Sequence, residues 1–389
     1  MAERRGLLRS ARDRVRPLRA SPGHDGPLLS VVVPVYNVAR WLPATMDTLL
    51  AQPVRDVEVV VIDDGSSDDT LAVAHGYAAR DPRVRVMTQP NSGVSIARNT
   101  AVPTCRGEFL TFADGDDVLP ADAWTTMLRT LRRTGSDFVV GNAVREELPP
   151  EGPESDRAEP RRFVTPLMKR NHGEDRFGLR IEDAPLLLAD IFVWNKVFRT
   201  AFFTGADGTE PIHFPERTRY QDQVALTQAF LKTRHFDVLT ETVYVWRVRP
   251  DRTSATQVRW EQTNLVERMT TKDMTVAQVL AHGGATLAET LFTEVLPIDM
   301  WEHFRRATVA DDAYWSTLRD GTRRIWHDGT VPFERTRVPP QQRLMGWLTV
   351  RDRRADLQRW VARLDAEGPT YDGDVLVHPW SDEVVLSRG

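Results

Sequence analysis

Three aspartates stand within four positions directly after an apolar segment. Asp114, Asp116 and Asp117 follow "FLTFA" in the sequence. Carboxylates this close repel one another, and their pKa values rise unless a cation neutralises the cluster. Carboxylate oxygens are hard ligands that suit Mg²⁺ and Mn²⁺, which complete their coordination with water and substrate phosphates. The cluster therefore predicts a divalent-metal site among these carboxylates; the alternative is a solvated turn in which Asp117 caps the next helix.

Two further polar clusters end apolar segments in the same way. They are "PVYN" at 34–37 and "DDGSSDD" at 63–69. If the three apolar segments are parallel strands, their carboxyl ends meet at one edge of a sheet. The three clusters are therefore expected to share one cleft.

The elements that would carry these clusters alternate regularly from residue 28 to residue 144. Five β-rich segments alternate with four helical segments, which predicts a mostly parallel, doubly wound α/β sheet flanked by helices. Asp68 is expected to cap the second helix and Pro120 to open the fourth. The predicted strands are 28–36, 56–64, 83–89, 107–114 and 136–144, and the predicted helices are 40–51, one from Asp68 onward, 93–102 and 121–133.

The chain as a whole is predicted to contain three regions. After a polar, proline-rich loop at 146–162, a helix at 219–233 and a strand at 238–248 complete an α/β domain that spans residues 28–256. Residues 257–389 are predicted to form a helical C-terminal domain whose tryptophans belong to its core. Residues 1–27 are either a solvated basic tail or an amphipathic helix on an anionic membrane surface, since seven arginines fall among the first 20 positions.

The composition excludes several classes of protein. A formal net charge of −4 over 389 residues argues against a general nucleic-acid binder, which usually carries a basic surplus. Cys105 is the only cysteine, so neither a disulfide framework nor a cysteine-rich zinc site can form. No apolar run approaches the length of a membrane-spanning helix. These features favour a protein of the reducing cytoplasm, with the inner face of the cell membrane as the second option.

Four motifs in sequence order resemble those of the family 2 glycosyltransferases of the GT-A fold, which is Rossmann-like. They are "VVVPVYN", "VVVIDDGSSDDT", "NSGVSIARN" and "LTFADGDD", and the resemblance continues through "FVWNKVFR", "YQDQ" and "YVWRVRPDRTSAT". The resemblance implies an inverting transfer of a sugar from a nucleotide-diphosphate donor, expected to be a UDP-sugar, to an acceptor hydroxyl. It also implies Mg²⁺ or Mn²⁺ as the cofactor.

The resemblance assigns the donor site to the first three motifs. Pro34, Tyr36 and Asn37 are expected to line the pocket for the nucleotide base. Asp64 is expected to hold the base or the ribose, and Arg98 to face the diphosphate or the acidic cluster. These assignments agree with the cleft expected at the carboxyl ends of the strands.

The fourth motif and a later segment supply the reactive groups. Asp114 and Asp116 match the DxD pair, in which the second aspartate binds the metal and the first reaches the ribose or the metal through water. Asp117 is expected to lie beside the acceptor or the donor sugar. Asp222 matches the position of the catalytic base, although Gln221 stands where glutamate usually precedes it; the alternative is a helix-start aspartate stabilised by the helix dipole.

The acceptor is the least defined part of the function. Trp194 and Lys196 are expected either to contact acceptor or phosphate, or to form an ordinary strand end. The segments after the core also resemble transferase modules of actinobacterial teichoic-acid-type proteins, which implies a cell-wall or capsular glycopolymer, or a lipid-linked precursor, as acceptor. Two alternatives stay open. One is a non-catalytic nucleotide-sugar-binding or assembly module, favoured by Gln221, and the other is a nucleotidyl or phosphosugar transferase, which would need a basic, glycine-rich loop where "PVYNVARW" supplies only Arg40.

Overall fold

The described part of the chain forms two compact units. The computed structural model describes residues 17–149, 159–250 and 261–388. The first unit contains the described residues up to Leu179 together with Phe192–Arg217 and Lys232–Pro250, and the second contains Arg180–Ile191, Thr218–Leu231 and the described residues from 261 onward. Residues 1–16 of the basic segment and the predicted domain boundary at 256 and 257 lie outside the described residues.

One mixed β-sheet is the framework of the first unit. Among the described residues its strands are β1 (Leu29–Val35), β2 (Val57–Asp63), β3 (Val84–Thr88), β4 (Phe109–Phe112), β5 (Phe138–Glu147), β6 (Arg161–Phe163), β7 (Arg176–Leu179), β8 (Lys196–Arg199) and β9 (Phe236–Val248). Their order across the sheet is β3, β2, β1, β4, β8, β5, β9 and β7, with β6 beside β5. β1 to β4 run parallel, and so do β5 and β9, whereas β8 lies antiparallel between β4 and β5.

The central strands explain why the sequence forms this sheet. β1 and β2 are buried along their whole length. Their runs of valine have no polar face, which is typical of parallel strands covered on both sides. The predicted α/β class, with a mostly parallel sheet flanked by helices, is confirmed. The antiparallel strand β8 was expected only as the strand-end alternative for Trp194 and Lys196, because a four-residue segment has too short a pattern to be recognised by itself.

The helices of the first unit lie close to the predicted positions. They are α1 (Leu42–Leu50), α2 (Thr70–Arg80), α3 (Val94–Ala101), α4 (Ala123–Thr134), α5 (Pro166–Asn171) and α6 (Thr200–Thr204), with a 3₁₀ helix at Val102–Thr104. Two details of the prediction are wrong. Asp68 lies one residue before the cap position, although its Oδ1 accepts a hydrogen bond from the Thr70 amide at 3.0 Å. Pro120 does not open α4, because a turn separates it from the first helical residue.

Helices dominate the second unit. They are α7 (Gln221–Lys232), α8 (Gln262–His282), α9 (Ala285–Thr290), α10 (Met300–Ala307), α11 (Asp312–Ile325), α12 (Pro340–Val350) and α13 (Arg354–Glu367), with β10 (Tyr371–Asp372) and β11 (Val375–Leu376). The last residue of α7, Lys232, is grouped with the first unit. Shorter 3₁₀ helices occur at Ile181–Asp183, Pro185–Ala189 and Phe333–Arg335, and a π-helical turn at Leu291–Val295. Trp326, Trp347 and Trp360 are each at most 2% exposed. The predicted helical C-terminal region is therefore confirmed, and these tryptophans belong to its core. None of the helices in the described ranges is long and apolar enough to cross a membrane.

Within the second unit, one aspartate balances two buried cations. Asp299 accepts a hydrogen bond from Arg268 Nε and another from Lys272 Nζ, the latter at 2.8 Å. The Lys272 side chain is fully buried, and 27% of the Asp299 side chain is exposed. Burial acts to raise the pKa of Asp299, but the charges of Arg268 and Lys272 outweigh it and hold that pKa well below its ordinary range. The ionised carboxylate therefore stabilises the fold above about pH 4, and this stabilisation is lost as the pH falls further.

Asp299→Asn is expected to lower the free energy of unfolding by about 3 kcal/mol, because two buried cations lose their carboxylate. The matched control, Asp273→Asn, removes an exposed carboxylate that pairs with Arg324, and it is expected to cost less than about 1 kcal/mol. Urea unfolding at neutral pH measures both variants. The difference in the free energy of unfolding between wild type and the Asp299 variant should become smaller in acid. Equal stability of the Asp299 and Asp273 variants at neutral pH would contradict the role of Asp299 as the partner of the two buried cations.

Candidate functional site

The loops that follow β1 and β2 are joined through Asn37. The Asn37 amide donates to Ser66 Oγ at 3.0 Å, and Asn37 Oδ1 accepts from the Ser67 amide at 2.8 Å. Asn37 has a φ of +51°, a left-handed conformation that asparagine adopts more readily than most residues. Pro34 is buried in β1, whereas 47% of Tyr36 is exposed. The structure thus brings the "PVYN" and "DDGSSDD" clusters together, and the contact of Pro34, Tyr36 and Asn37 with a base stays a prediction.

Asp64 organises the segment that leads into α3. Its buried carboxylate accepts hydrogen bonds from Gln89 Nε2 and from the amides of Ser92 and Gly93, each at 2.8 Å. These bonds define where α3 begins, since residue 93 directly precedes the helix. Asp64 therefore has a structural role, and its contact with the base or the ribose stays a prediction.

Arg98 connects α3 to the acidic loop, defined here as residues 114–117. Its Nη2 lies 3.0 Å from Asp114 Oδ1, and only 2% of the Arg98 side chain is exposed. The guanidinium carbon lies 6.0 Å from the ring centroid of Phe112 and 5.1 Å from that of Phe214. Asp114 keeps 35% of its side chain exposed. Arg98 thus faces the acidic cluster and leaves Asp114 accessible to a ligand.

Arg247 near the end of β9 and Arg249 just after it hold the other half of the acidic loop. Arg249 Nε lies 2.6 Å from Asp116 Oδ2, and the Arg247 amide donates to Asp117 Oδ1 at 2.7 Å. Neither arginine was predicted, because 133 and 130 residues, respectively, separate them from these partners along the chain. The only signal was two basic residues at alternate positions near the end of a strand.

Tyr244 is the central hydrogen-bonding partner of the acidic loop. Its hydroxyl donates to Asp117 Oδ2 at 2.9 Å and accepts from the Asp114 amide at 3.0 Å. Its buried ring stacks on Trp194, with centroids 4.1 Å apart and planes 15° apart. Burial, reinforced by the charges of Asp116 and Asp114, raises the pKa of Asp117 well above its ordinary value. Asp117 therefore anchors the loop from within, and its position beside a sugar stays a prediction.

Trp194 and Lys196 lie inside the first unit. Trp194 is 7% exposed, and Lys196 is fully buried. The Lys196 ammonium donates to the Phe192 carbonyl at 2.6 Å and to Asn195 Oδ1 at 2.9 Å. These contacts support the strand-end alternative. A contact of Trp194 or Lys196 with acceptor or phosphate would require a rearrangement, and it stays a prediction.

Gly115 allows the acidic loop to lie against β1. A Cβ atom at this position would be 2.7 Å from Val35 Cγ1 and 3.2 Å from Val38 Cγ2. Real Cβ atoms essentially never approach another atom as closely as the first of these distances. A side chain here would push the loop away from β1, and Asp114 and Asp116 would move with it.

Asp114 and Asp116 suit a metal that takes most of its ligands from elsewhere. Across residues 17–149, 159–250 and 261–388, no group of three or more His, Cys, Asp or Glu side chains forms a complete metal site. Burial raises the pKa of Asp116, and the charge of Arg249 opposes this shift. The negative charge of Asp114 raises the pKa of Asp116 further, so a bound cation would relieve the repulsion between the two carboxylates. Asp114 and Asp116 together fit Mg²⁺ or Mn²⁺, which commonly use one or two carboxylates plus water and phosphate oxygens.

Asp222 belongs to the second unit and lies in the first turn of α7. It is half-buried, and Gln221 before it is 8% exposed. A carboxylate at a helix N-terminus is favoured by the helix dipole, which is the structural alternative to a catalytic role. The role of Asp222 as a base stays a prediction.

The comparisons with known proteins identify the class of the first unit. Residues 30–179 match the sequence family described as "Glycosyl transferase family 2". This segment contains the four leading motifs and the acidic loop. The match confirms the resemblance inferred from the motifs.

The curated relatives are longer than the region they share with this chain. The chain is 29% identical over 231 residues to "Uncharacterized glycosyltransferase EpsJ" of Bacillus subtilis, a match that covers 58% of this chain and 62% of EpsJ. It is 40% identical over 107 residues to a chondroitin synthase of Escherichia coli, over 28% of this chain and 16% of that protein. The chain therefore spans less than two thirds of the length of these two relatives.

The fold is shared with TarS of S. aureus. The crystal structure of TarS residues 1–349 in complex with UDP-GlcNAc matches with a TM-score of 0.64 and 19% identity, over 86% of this chain and 91% of that chain. At this identity the similarity establishes the fold alone. It confirms the predicted GT-A class.

Tyr244→Phe is expected to loosen the acidic loop, because the Asp117 carboxylate loses a donor and the Asp114 amide loses its acceptor, while the ring stack on Trp194 remains. The expected cost in stability is about 1–3 kcal/mol. Amide hydrogen exchange in peptides that cover residues 109–117 should become faster.

The control for this experiment is Tyr77→Phe, which removes another hydroxyl bonded to a carboxylate, that of Asp47 at 2.7 Å. This variant should leave exchange in 109–117 unchanged. Equal exchange in the Tyr244 variant and wild type would show that the hydroxyl does not hold the loop.

Proposed function

We propose that this protein is a glycosyltransferase that moves a sugar from a nucleotide-diphosphate donor to an acceptor hydroxyl, with inversion at the anomeric carbon. The observation that carries the proposal is the acidic loop of a family 2 segment, in which Asp114 stays partly exposed while Arg98, Arg249 and Tyr244 hold the loop in one arrangement. Such a loop is preorganised for a charged ligand, so little ordering is required when the donor binds.

UDP is the proposed nucleotide, and Asp116 with Asp114 would hold Mg²⁺ or Mn²⁺ at its diphosphate. The TarS structure with UDP-GlcNAc has the same fold, which supports a UDP-sugar. When bound, the metal would offset the negative charge that develops on the leaving diphosphate. Arg98 and Arg249 lie against the same carboxylates, and guanidinium groups bind phosphate oxygens well, so we assign them to the diphosphate as well.

The nucleoside is proposed to lie at the loops after β1 and β2. Pro34, Tyr36 and Asn37 would line the base pocket, and Asp64 would reach the base or the ribose. The exposure of Tyr36 supports this placement, because its ring is accessible for stacking on a base. The hydrogen bonds of Asn37 and Asp64 would keep both loops in position before the donor arrives.

Asp222 is proposed as the general base. Carboxylates are ionised at neutral pH in water, and one within hydrogen-bond reach of a hydroxyl makes that oxygen a better nucleophile. The acceptor proton moves to the Asp222 carboxylate, the acceptor oxygen bonds to the anomeric carbon, and the nucleoside diphosphate leaves with the electron pair of the broken bond. The support for Asp222 is its place in "YQDQ" and in the first turn of α7.

The proposed acceptor is a hydroxyl of a cell-wall or capsular glycopolymer, or of a lipid-linked precursor. The resemblance to teichoic-acid-type transferase modules supports it, and so does the match to an enzyme named for a polysaccharide product, chondroitin synthase. A cytoplasmic protein whose basic N-terminal segment meets anionic lipid would find such an acceptor at the inner face of the membrane. Residues 1–16 of that segment lie outside the described residues.

Asp116→Asn is expected to weaken Mn²⁺-dependent UDP binding by more than about tenfold, because the site loses one of two anionic metal ligands. Isothermal titration with UDP, with and without Mn²⁺, measures the effect. Asp81→Asn is the control, since Asp81 pairs with Arg83 outside the site. Unchanged affinity of the Asp116 variant for UDP in the presence of Mn²⁺ would refute the metal assignment.

Asp222→Asn is expected to keep UDP affinity but to lower sugar transfer by about 10²–10⁴-fold, the usual contribution of a general base. Gln221→Glu serves as a companion variant that restores the residue usual in the family and should retain transfer. Retained turnover in Asp222→Asn would assign the base to another residue.

A wild-type protein that binds UDP-sugars but neither transfers nor hydrolyses them would instead support a non-catalytic nucleotide-sugar-binding or assembly module. Gln221, which stands where glutamate is usual, is the observation that favours this second function. A panel of nucleotide sugars and saccharide acceptors, assayed for released nucleotide, separates the two functions.

A further inference from the structure

The chain takes an unusual conformation two residues before Asp222. Tyr220 has a φ of +63°, in the left-handed region that L-residues with large side chains rarely adopt. Such a conformation persists only where the surroundings impose it, and in proteins it is frequent at functional sites. The contacts that impose it here are therefore informative about Asp222.

Those contacts come from helix α8 of the second unit. The Tyr220 hydroxyl donates to Asn264 Oδ1 at 2.7 Å, and Asn264 is fully buried. The Arg219 amide donates to Glu267 Oε2 at 3.0 Å. Two successive residues of the turn before α7 are thus held by side chains of α8, one helical turn apart.

Arg268, the next residue of α8, makes contacts on both sides of Asp222. Its guanidinium carbon lies 4.5 Å from the ring centroid of Tyr220, and its Nη1 donates to Gln223 Oε1 at 2.7 Å. Its Nε donates to Asp299, so the guanidinium is itself held in one orientation. Only 7% of the Arg268 side chain is exposed.

We propose that Arg268 is a positioning residue for Asp222, and that α8 fixes the direction in which the Asp222 carboxylate points. The inference rests on the proposed function, in which Asp222 accepts the acceptor proton. A planar guanidinium can cover an aromatic ring and donate in its own plane to Gln223 and Asp299 at once, which an ammonium cannot do.

Arg268→Lys is the principal test, because lysine keeps a cation beside Asp299 but cannot make all three contacts. Transfer should fall by about tenfold or more in kcat, since small displacements of a reacting group are costly, while donor KM and UDP affinity stay within about twofold of wild type. Arg324→Lys is the matched control. Arg324 is exposed and pairs with Asp273, which belongs to α8 like Arg268, and the kcat of this variant should equal that of wild type.

Gln223→Met is a second test that leaves every charge in place. It removes the acceptor for Arg268 Nη1 and should lower kcat in the same manner, with UDP affinity retained. Combining Arg268→Lys with Asp222→Asn should give no further loss beyond Asp222→Asn alone, because both changes act on one step. Thermal unfolding and titration of active sites with UDP report how much of each variant is folded.

The outcomes separate this inference from the function on which it rests. If Asp222→Asn retains turnover, both the base assignment and the positioning role are wrong. If Asp222→Asn loses turnover while Arg268→Lys and Gln223→Met keep wild-type kcat, the positioning role alone is wrong. A kcat that falls only in proportion to the folded fraction would make Arg268 a purely structural residue and would likewise overturn the proposal.

Discussion

The Asp117 carboxylate is the constraint on which the rest of the site depends. Removing a carboxylate from water is costly unless donors of the protein replace the lost hydrogen bonds. The Tyr244 hydroxyl and the Arg247 amide supply them, and both belong to β9. Arg98 and Arg249 then balance the other two aspartates of the loop. The loop therefore keeps its shape only while α3 and β9 are both in place.

The parts of the fold that could be predicted are those with local signals. Continuous apolar runs predict β1, β2 and β4, and the polar residues directly after them predict the edge where the site forms. The resemblance of four motifs in order then predicts the family. Each of these signals lies within a few residues of the feature that it predicts, so the rest of the chain was not needed to recognise it.

The remainder depends on contacts between residues far apart in the sequence. Tyr244, Arg247 and Arg249 could not be assigned to the acidic loop, because a strand residue gives no indication of which loop its side chain will meet. Lys196 is another example: its place in a family motif suggests a phosphate ligand, whereas nothing in the motif indicates that its buried ammonium donates to a carbonyl and to an amide oxygen. The grouping of residues 218–231 with the helical unit likewise follows from contacts with α8 that no local pattern encodes.

The long separation between the acidic loop and its partners has a consequence for how the protein is made. Asp117 and Tyr244 are 127 residues apart, and Asp116 and Arg249 are 133 apart. Because a ribosome delivers the chain from its N-terminus, the three aspartates emerge well before β9 has been synthesised. Throughout that interval water must solvate the three aspartates, and β5 lacks its neighbouring strand β9. The family match ends at residue 179. A fragment in which the acidic loop has all its partners must extend at least to Arg249, so it is longer than the matched segment.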